Sequence, residues 1–334
     1  MQQAMQEAIC AFVVRASGAR SAAIHALKQL SGGAIQENWL VQFVLDGGPY
    51  AGTLDTVVRT DAPSAVSLSH SRAQEFALLR TVHAAGVTVP EPLWLCEDKD
   101  VIGRQFFVMR RVGGTASGHV LVKDAPGTDG LAYRLGRELA RIHGVRPPQA
   151  ALGFLPRYDE SPAMHLVGKF RAFLDRHPVP YPALEWGLRW LERHAPPARD
   201  LVLCHRDFRT GNYMVDEHGL TGILDWEFAG WSDPLEDIGW FCARCWRFGA
   251  VAKEAGGIGA RADFYRGYED ESGTPVAREL VAYWEVMAHV NWAVIAIQQA
   301  QRHVSGEECS LLLALTGHIV PELEWEILNL TEQD

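Results

Sequence analysis

The chain has 334 residues, of which 48% are hydrophobic, and its 31 basic and 41 acidic residues give a formal net charge of −10. This length exceeds what one simple core usually covers, and the hydrophobic content suffices for globular packing, so we expect two lobes. The acidic balance, and the lack of a Lys/Arg run interleaved with aromatic residues, disfavour nucleic acid as a partner.

The N-terminus and the cysteines indicate where the protein works. Residues 1–10 have neither the basic start nor the apolar core of a signal sequence, and we expect no stretch that approaches a membrane span. Six cysteines are dispersed along the chain. Cys242 and Cys245 form one C-x2-C pair without a second pair, which favours helical packing and leaves zinc or redox chemistry as the alternative. These features predict a cytoplasmic protein without a membrane partner.

The N-terminal part predicts a glycine turn that leads into strands. Residues 30–38 include Gly32 and Gly33, and they precede an alternating strand at 39–45 and a second strand at 53–59. Paired glycines let backbone N–H groups approach phosphate oxygens, because no Cβ is in the way. A plain hairpin turn explains the same two glycines, so both interpretations stay open.

A helix, a buried strand and a connector come next. The helix holds residues 72–79 and ends before the turn residues of 86–92. Residues 106–109 are an apolar run that predicts a buried strand, and this strand runs into a flexible connector at 110–114.

Beyond the connector the sequence predicts mostly helices, each recognised by apolar residues at three- and four-residue steps or by capping residues at its start. These predicted helices are 131–143, 164–174, 184–191, one opened by Asp233 and Pro234, the longest one opened by Thr274 and Pro275, and one opened by residues 305–308.

The most informative motif lies at residues 204–227. It places Asp207, then Asn212 five residues later, then Asp225 thirteen residues after that, with short apolar runs around them. A phosphoryl-transfer site needs one carboxylate near the acceptor hydroxyl, and an amide oxygen and a second carboxylate to hold Mg²⁺ against the phosphates. A hairpin around residues 217–219 would bring the three side chains to one end of one ribbon. Since Asp and Asn are also common turn residues, a capped loop is the alternative.

Three neighbours of these side chains have predicted roles. Asp207 is the expected base, and His205 is expected to orient the loop by hydrogen bonding instead of carrying a proton. Arg209, two residues after Asp207, is placed to stabilise charge on the transferring group. Glu227 is a candidate for assisting a second metal ion.

The motif resembles the H-x-D-x4-N and downstream D-x-[DE] motifs of the aminoglycoside phosphotransferase family, relatives of choline kinases and of eukaryotic protein kinases. The resemblance extends from residues 30–33 through 106–109 to 233–237. It implies an α+β, two-lobed, protein-kinase-like fold. The implied lobes are a small nucleotide-binding lobe of antiparallel sheet plus helix at 1–110, and a larger, mainly helical lobe for catalysis and acceptor binding at 111–334. Arg206 is a departure, because the family usually has Gly there.

The resemblance also implies which residues contact the phosphates. Arg59 takes the position of the strand cation that contacts the α- and β-phosphates, where the family more often has Lys, and Glu75 is its partner on the helix. Without the resemblance, both would be ordinary exposed charges. The residues implied to cover the phosphates are Gly32, Gly33 and Asn38.

The connector has an implied role in binding adenine. In the resembling fold, its backbone hydrogen-bonds the base, and Arg110 and Val112 would supply those main-chain groups. Met109 belongs either to the core or to the pocket wall.

These observations predict Mg²⁺-dependent transfer of the γ-phosphate of ATP or GTP to a hydroxyl of a small molecule. A catalytically silent nucleotide-binding module is one alternative, although the presence of Asp207, Asn212 and Asp225 counts against it. A protein kinase is another, invited by the sequence of residues 205–207 and opposed by the lack of G-x-G-x-x-G, D-F-G and A-P-E segments. The acceptor could be an aminoglycoside, a choline-like alcohol, a sugar, homoserine or a hydroxyacyl thioester.

Overall fold

The computed structural model describes residues 3–30, 36–61, 69–123 and 125–332. The described residues form two compact units. Unit 1 comprises those within Met1–Thr115, Pro148–Phe154 and Asn212–Ala229, and unit 2 comprises those within Ala116–Pro147, Leu155–Gly211 and Gly230–Asp334. The chain therefore returns to unit 1 twice. The functional division at residues 110 and 111 stays a prediction.

Unit 1 contains a five-stranded antiparallel sheet with the order β1-β2-β3-β5-β4. Its strands are β1 (Ser21–Gln29), β2 (Gln36–Asp46), β3 (Gly52–Asp61), β4 (Pro92–Cys96) and β5 (Phe106–Arg110), and its helices are α1 (Gln3–Ser17) and α2 (Arg72–Ala84). Alternate residues of β2 (Val41, Phe43 and Leu45) are buried in one core cluster with Ile9 and Val13 of α1, as the two-residue period of a strand requires.

Four short strands lie further along the chain. They are β6 (Val202–Cys204), β7 (Tyr213–Asp216), β8 (Gly219–Ile223) and β9 (Gly230–Ser232). β7 and β8 form an antiparallel hairpin in unit 1, which confirms the predicted turn at 217–219. The prediction of one ribbon was wrong for Asp207, because β6, the strand before it, pairs with β9 in unit 2.

Unit 2 is mostly helical, so the predicted α+β class is confirmed. Its helices are α3 (Gly118–Leu121), α4 (Leu131–His143), α5 (Pro162–Leu174), α6 (Pro182–Arg193), α7 (Pro234–Cys242), α8 (Arg261–Ser272), α9 (Val281–Val304), α10 (Leu311–Gly317) and α11 (Val320–Thr331). Two glycines let α4 and α8 approach closely. A Cβ on Gly136 would lie 2.1 Å from the Phe264 carbonyl oxygen, and one on Gly267 would lie 1.9 Å from that of Tyr133.

Two predicted helix starts were wrong. The longest helix begins at Val281 and not at Thr274, because the Glu269 carboxylate accepts the N–H of Val276 and holds the preceding segment as a loop. Ser305 is the C-terminal cap of that helix. The next helix begins at Leu311, where the Ser310 hydroxyl accepts the N–H of Leu313.

One helix among the described residues is long and apolar enough to cross a membrane. It is α9 together with the 3₁₀ turn Arg278–Leu280 that precedes it, and 72% of its most apolar 18-residue stretch is buried within the protein. The expectation that no stretch approaches a membrane span was therefore wrong as to length and composition. Burial to this degree is typical of a core helix.

Candidate active site

Arg59 on β3 and Glu75 on α2 form a buried ion pair in unit 1. The guanidinium Nη2 lies 2.9 Å from Glu75 Oε1, and Nη1 donates to Asp225 Oδ1 at 3.0 Å. Only 6% of the Arg59 side chain and 4% of the Glu75 side chain is exposed. Burial disfavours the charged guanidinium, but Glu75, Asp225 and Glu227 together raise its pKa above the ordinary value. Arg59 is therefore held as a cation among three carboxylates.

A second arginine completes this network. Arg72 forms a short ion pair with Glu75 and another with Asp61, with Nε 2.9 Å from Oδ1. The Arg72 side chain is 1% exposed. Glu75 thus lies between two buried guanidinium groups. The ion pairs Arg59–Glu75 and Arg72–Asp61 join helix α2 to strand β3.

The β7–β8 hairpin brings Asn212 and Asp225 to one end of unit 1. Tyr213 lies opposite Ile223, so the residues just outside the two strands face each other, and the N–H of Leu224 donates to the Asn212 carbonyl at 2.8 Å. Asn212 is buried, whereas 38% of the Asp225 side chain is exposed. Asp225 has a left-handed backbone with a φ of 61°, a conformation that a non-glycine residue adopts rarely. Asn212 and Asp225 lie at the end of the hairpin that is opposite its turn, and we call this end the open end of the hairpin.

Glu227 follows the open end of the hairpin in sequence and adds a second carboxyl group. Its main-chain oxygen accepts the N–H of His70 at 3.1 Å. Burial raises the pKa of the Glu227 carboxyl to about 7; Arg59 opposes this shift, while Asp225 adds to it. The oxygen donors of Asn212, Asp225 and Glu227 are of the kind that Mg²⁺ prefers, and a cation here would offset the crowding of carboxylates. The donor set fits a magnesium ion.

The connector is tied to the same hairpin within unit 1. The Thr221 hydroxyl donates to the Gly113 carbonyl at 2.7 Å, and Thr115 and Val215 form an isolated bridge. Gly222 packs against Val112, where an added Cβ would meet the Val112 side chain at 3.3 Å. The connector and the open end of the hairpin are therefore parts of one compact body.

Two other connector residues have defined surroundings. Met109 is buried at the end of β5. Arg110 donates its N–H to the Glu91 carbonyl at 2.8 Å, and its guanidinium pairs with the Glu91 carboxylate at 2.7 Å. Because this N–H is already used, the carbonyl is the group of Arg110 that suits a role toward adenine.

The predicted phosphate-covering residues are only partly described. Gly32 and Gly33 lie outside the described residues. Asn38 lies on β2 directly opposite Arg59 on β3, and its Oδ1 is buried with no hydrogen-bond partner in the described part of the chain. A buried acceptor of this kind costs free energy unless a further donor reaches it.

In unit 2, Asp207 lies in the loop after β6 with 18% of its side chain exposed. Its Oδ1 accepts one hydrogen bond from Nε of Arg209 at 2.9 Å and another from Nε1 of Trp240 at 3.1 Å. The N–H of Asp207 donates to Nδ1 of His205 at 3.3 Å, so this ring nitrogen acts as an acceptor. His205 is fully buried, and this geometry agrees with an orienting role in the loop.

Asp237 on α7 anchors the backbone of this loop. Its Oδ2 accepts the N–H of His205 and its Oδ1 accepts the N–H of Arg206, both at 2.7 Å. Burial alone would raise the pKa of Asp237, but the hydrogen bond from His143 and the neighbouring donors lower it below the ordinary value. His143, Cys204 and Asp237 offer ligand atoms within 4.8 Å of one another. Burial raises the thiol pKa of Cys204 well above the ordinary value, so we interpret the group as a hydrogen-bonded anchor.

Arg206 has a left-handed backbone with a φ of 64°. Glycine adopts this conformation without a steric cost, which gives a physical reason for the Gly expected at this position in the resembling family. Here the N–H of Arg206 is held by Asp237, and its guanidinium pairs with Glu236 at 3.3 Å. These contacts support the unusual backbone of the loop.

The structure thus divides the predicted site residues between the two units. Those described in unit 1 are Asn38, Arg59, Glu75, Met109, Arg110, Val112, Asn212, Asp225 and Glu227, and those in unit 2 are His205, Asp207 and Arg209. Sequence reasoning missed Asp237, His143 and Trp240, which hold the Asp207 loop. Asp237 ends the segment 233–237 that the family resemblance covers, but no role was predicted for it, because an acidic residue is ordinary in the first turn of a helix.

Comparison with known proteins adds three kinds of similarity. A family model described as the phosphotransferase enzyme family matches residues 26–280. The chain is 26% identical over 283 residues to acyl-CoA dehydrogenase family member 10 of Mus musculus, across 77% of this chain and 26% of that protein. It is 30% identical over 177 residues to acyl-CoA dehydrogenase family member 11 of Gallus gallus, across 51% of this chain and 22% of that protein. The chain spans about a quarter of the length of these curated relatives.

Two solved structures with similar folds are phosphotransferases by description. One from Ralstonia eutropha JMP134, assigned to the aminoglycoside phosphotransferases, has a TM-score of 0.77 at 22% identity and covers 98% of both chains. A spectinomycin phosphotransferase in complex with ADP and spectinomycin has a TM-score of 0.65 at 14% identity, across 96% of this chain and 98% of that chain. At these identities the likeness shows the fold, and the predicted kinase-like architecture is confirmed.

Proposed function

Because the chain belongs to the phosphotransferase enzyme family, we propose that it moves the γ-phosphate of ATP or GTP to a hydroxyl of a small molecule. The observation that carries the proposal is the arrangement in unit 1, where Arg59 bridges Glu75 and Asp225 at the open end of the hairpin. A buried cation beside the partly exposed carboxylate of Asp225 suits a polyanion that arrives with a divalent ion.

In this proposal the residues of unit 1 bind and orient the nucleotide. Arg59 contacts the α- and β-phosphates and Glu75 holds its guanidinium in place. Asn38 and the neighbouring glycines Gly32 and Gly33 cover the phosphates. The carbonyl of Arg110 and the main chain of Val112 hydrogen-bond the base, and Met109 lines its pocket.

Asn212, Asp225 and Glu227 are the residues that would hold Mg²⁺. When bound, the ion neutralises charge that develops on the phosphate oxygens. Burial, with the carboxylates of Asp225 and Glu75, raises the pKa of Glu227 to about 7, and a bound cation would lower it again.

Asp207 orients the acceptor hydroxyl and takes its proton as the phosphoryl group leaves the nucleotide. Positioned bases typically contribute about 10² to 10⁴ in rate. His205 holds the loop, and Arg209 supplies positive charge beside the base. The transition state of phosphoryl transfer is loose, so positioning matters more than base strength.

Five acceptor classes deserve a direct comparison: an aminoglycoside, a choline-like alcohol, a sugar, homoserine and a hydroxyacyl thioester. The name of the similar spectinomycin phosphotransferase supports the first class, and the acyl-CoA dehydrogenase names of the curated relatives support the last. We also propose the cytoplasm as the place of action, supported by six cysteines that are all free thiols.

The test is acceptor-stimulated release of ADP or GDP from Mg·ATP or Mg·GTP, measured with one member of each class and with a peptide that carries hydroxyl side chains. Asp207→Ala serves as the chemical control, and Asp200→Ala, which replaces a side chain that is 92% exposed in the same unit, serves as the matched control. We expect stimulation by one class, its loss in Asp207→Ala and its retention in Asp200→Ala. Nucleotide binding without turnover on any class would favour the catalytically silent alternative, and turnover only on a peptide would favour a protein kinase.

A further inference from the structure

Two side chains donate to the carboxylate of Asp207, and one of them is a tryptophan. Nε1 of Trp240 donates to Oδ1 of Asp207 at 3.1 Å, and Nε of Arg209 donates to the same oxygen at 2.9 Å. An indole N–H is a donor only, so its position selects the orientation of the carboxylate without exchanging a proton with it.

Trp240 is itself held from two sides. Its ring lies 5.1 Å from that of Trp246, whose ring lies 4.9 Å from that of Trp292 on α9. We call these three residues the tryptophan cluster. Gly239 brings α7 against α9, since an added Cβ would lie 2.4 Å from Cβ of Trp284. With 5% of its surface exposed, Trp240 has little freedom to move away from Asp207.

The second donor to Asp207 rests on the same cluster. The guanidinium carbon of Arg209 lies 4.5 Å from the centre of the Trp246 ring, within the range of a cation–π interaction. Both groups that hold Oδ1 are therefore fixed by adjacent aromatic rings.

Helix α7 links the side chain and the backbone of the loop. Asp237 binds the N–H groups of His205 and Arg206, and Trp240, three residues later on the helix, binds the carboxylate of Asp207. Residues three apart share a helix face, so one rigid element sets both the path of the loop and the direction of its carboxylate.

We propose that Trp240 is a positioning residue for Asp207: its indole N–H, fixed by the tryptophan cluster, holds one carboxylate oxygen so that the acceptor hydroxyl meets the other in a reproducible orientation. This rests on the proposed function of Asp207 as the base. The role is conferred by the N–H and not by aromatic bulk, so Trp240→Phe removes it while keeping most of the packing.

Trp284→Phe is the matched control. Trp284 is buried, contacts the same helix through Gly239, and has an Nε1 with no hydrogen-bond partner in the described part of the chain. The two substitutions remove the same atoms from neighbouring parts of unit 2. Only one of them removes a donor to Asp207.

The first experiment uses NMR of the full chain labelled with ¹⁵N-tryptophan, in which Trp240→Phe and Trp284→Phe assign the two indole resonances. We expect Asp207→Asn to move the Trp240 indole proton upfield and to leave that of Trp284 nearly in place, because a charged acceptor is replaced by a neutral one. An unmoved Trp240 resonance would overturn the proposal without any assay of turnover.

The second experiment is a double-mutant cycle on phosphoryl transfer from Mg·ATP or Mg·GTP. The phosphoryl acceptor is water or the compound that the acceptor screen identifies. Trp240→Phe should lower kcat about tenfold with the nucleotide KM unchanged, the size typical for a group that orients another. Because Trp240 acts through Asp207, the pair Asp207→Asn/Trp240→Phe should be no slower than Asp207→Asn alone.

The outcomes separate the two proposals. Equal rates for Trp240→Phe and Trp284→Phe, or multiplicative losses in the double variant, would overturn the positioning role while leaving Asp207 as the base. Full turnover in Asp207→Asn would remove the base itself, and the positioning role would fall with it.

Discussion

The two units hold the carboxylates of the candidate site by different means. In unit 1, Glu75 lies between two buried guanidinium groups, and Arg59 in turn reaches Asp225. In unit 2, Asp237 is held by backbone N–H groups and a histidine, and Asp207 by an indole and one arginine. Unit 1 concentrates ion pairs where a polyanion and a cation are expected to bind, whereas unit 2 combines neutral N–H donors with one arginine to orient a single carboxylate.

In the function that we propose, this contrast corresponds to nucleotide binding in unit 1 and the chemical step in unit 2. The boundary between the two units falls between Gly211 and Asn212, inside the H-x-D-x4-N motif itself. Substitutions on the two sides of this peptide bond should therefore have different kinetic signatures.

The largest expected effect belongs to unit 2. Asp207→Ala should lower kcat by about 10² to 10⁴ while the dissociation constant for Mg·nucleotide stays within a factor of about two of the wild-type value. Steady-state kinetics and calorimetric titration of the same preparation give the two numbers. A parallel loss of nucleotide affinity would break the comparison, because Asp207 would then act in binding as well.

A large effect on stability is expected in unit 1. Glu75→Ala leaves the buried guanidinium groups of Arg59 and Arg72 without their shared carboxylate, and this should lower the free energy of unfolding by about 3 to 5 kcal/mol. Chemical denaturation measures the loss. Arg20→Ala, which removes an exposed partner of Asp46, is the control and should leave the denaturation midpoint unchanged. Comparable losses in the two variants would show that burial does not decide the effect.

A smaller effect should distinguish unit 2 by its dependence on pH. His289 is buried on α9, and burial lowers its pKa from 6.5 to about 4, with Arg247 and Arg244 acting in the same direction. Its Nδ1 donates to the Glu285 carbonyl oxygen at 2.6 Å, and this bond by itself raises the pKa. Burial outweighs it, so the folded protein favours the neutral ring. As the pH falls through 6.5, the unfolded chain takes up this proton first, and stability is lost until about pH 4.

His289→Gln keeps a donor for the carbonyl and removes the titration. Between pH 7 and pH 5 the wild-type protein should lose about 2 kcal/mol more unfolding free energy than this variant. Denaturation curves of both proteins at the two pH values provide the measurement. Identical pH dependence in the two would mean that His289 titrates alike in the folded and unfolded chains.

Much of the fold could be predicted from local patterns. The alternating residues of β2, the apolar run of β5 and the caps of α7 each specify their element through neighbours in sequence. The starts of α9 and α10 could not be placed. For α9, the Glu269 carboxylate binds the segment that follows Thr274 and Pro275 and holds it as a loop. For α10, Ser305 and Ser310 are equally plausible caps in the sequence, and the structure uses Ser310.

The site was predictable to a similar extent. Motif spacing and family resemblance identified Asp207, Asn212 and Asp225, and the ion pair implied between Arg59 and Glu75 is present, although the roles of these residues stay predictions. The supports of Asp207 were not predictable. Trp240 and Asp237 lie some thirty residues further along the chain, in a helix whose sequence reads as ordinary core.

The most direct measurement is the magnesium dependence of nucleotide binding in Asp225→Ala. In the wild-type protein and in Asp207→Ala, Mg²⁺ should tighten the binding of ATP or GTP by at least about tenfold, which corresponds to about 1.4 kcal/mol. Asp216→Ala, at the opposite end of the same hairpin, should behave like the wild-type protein. We expect Asp225→Ala to bind nucleotide equally with and without Mg²⁺. Full magnesium dependence in that variant would contradict the assignment of metal and nucleotide binding to unit 1.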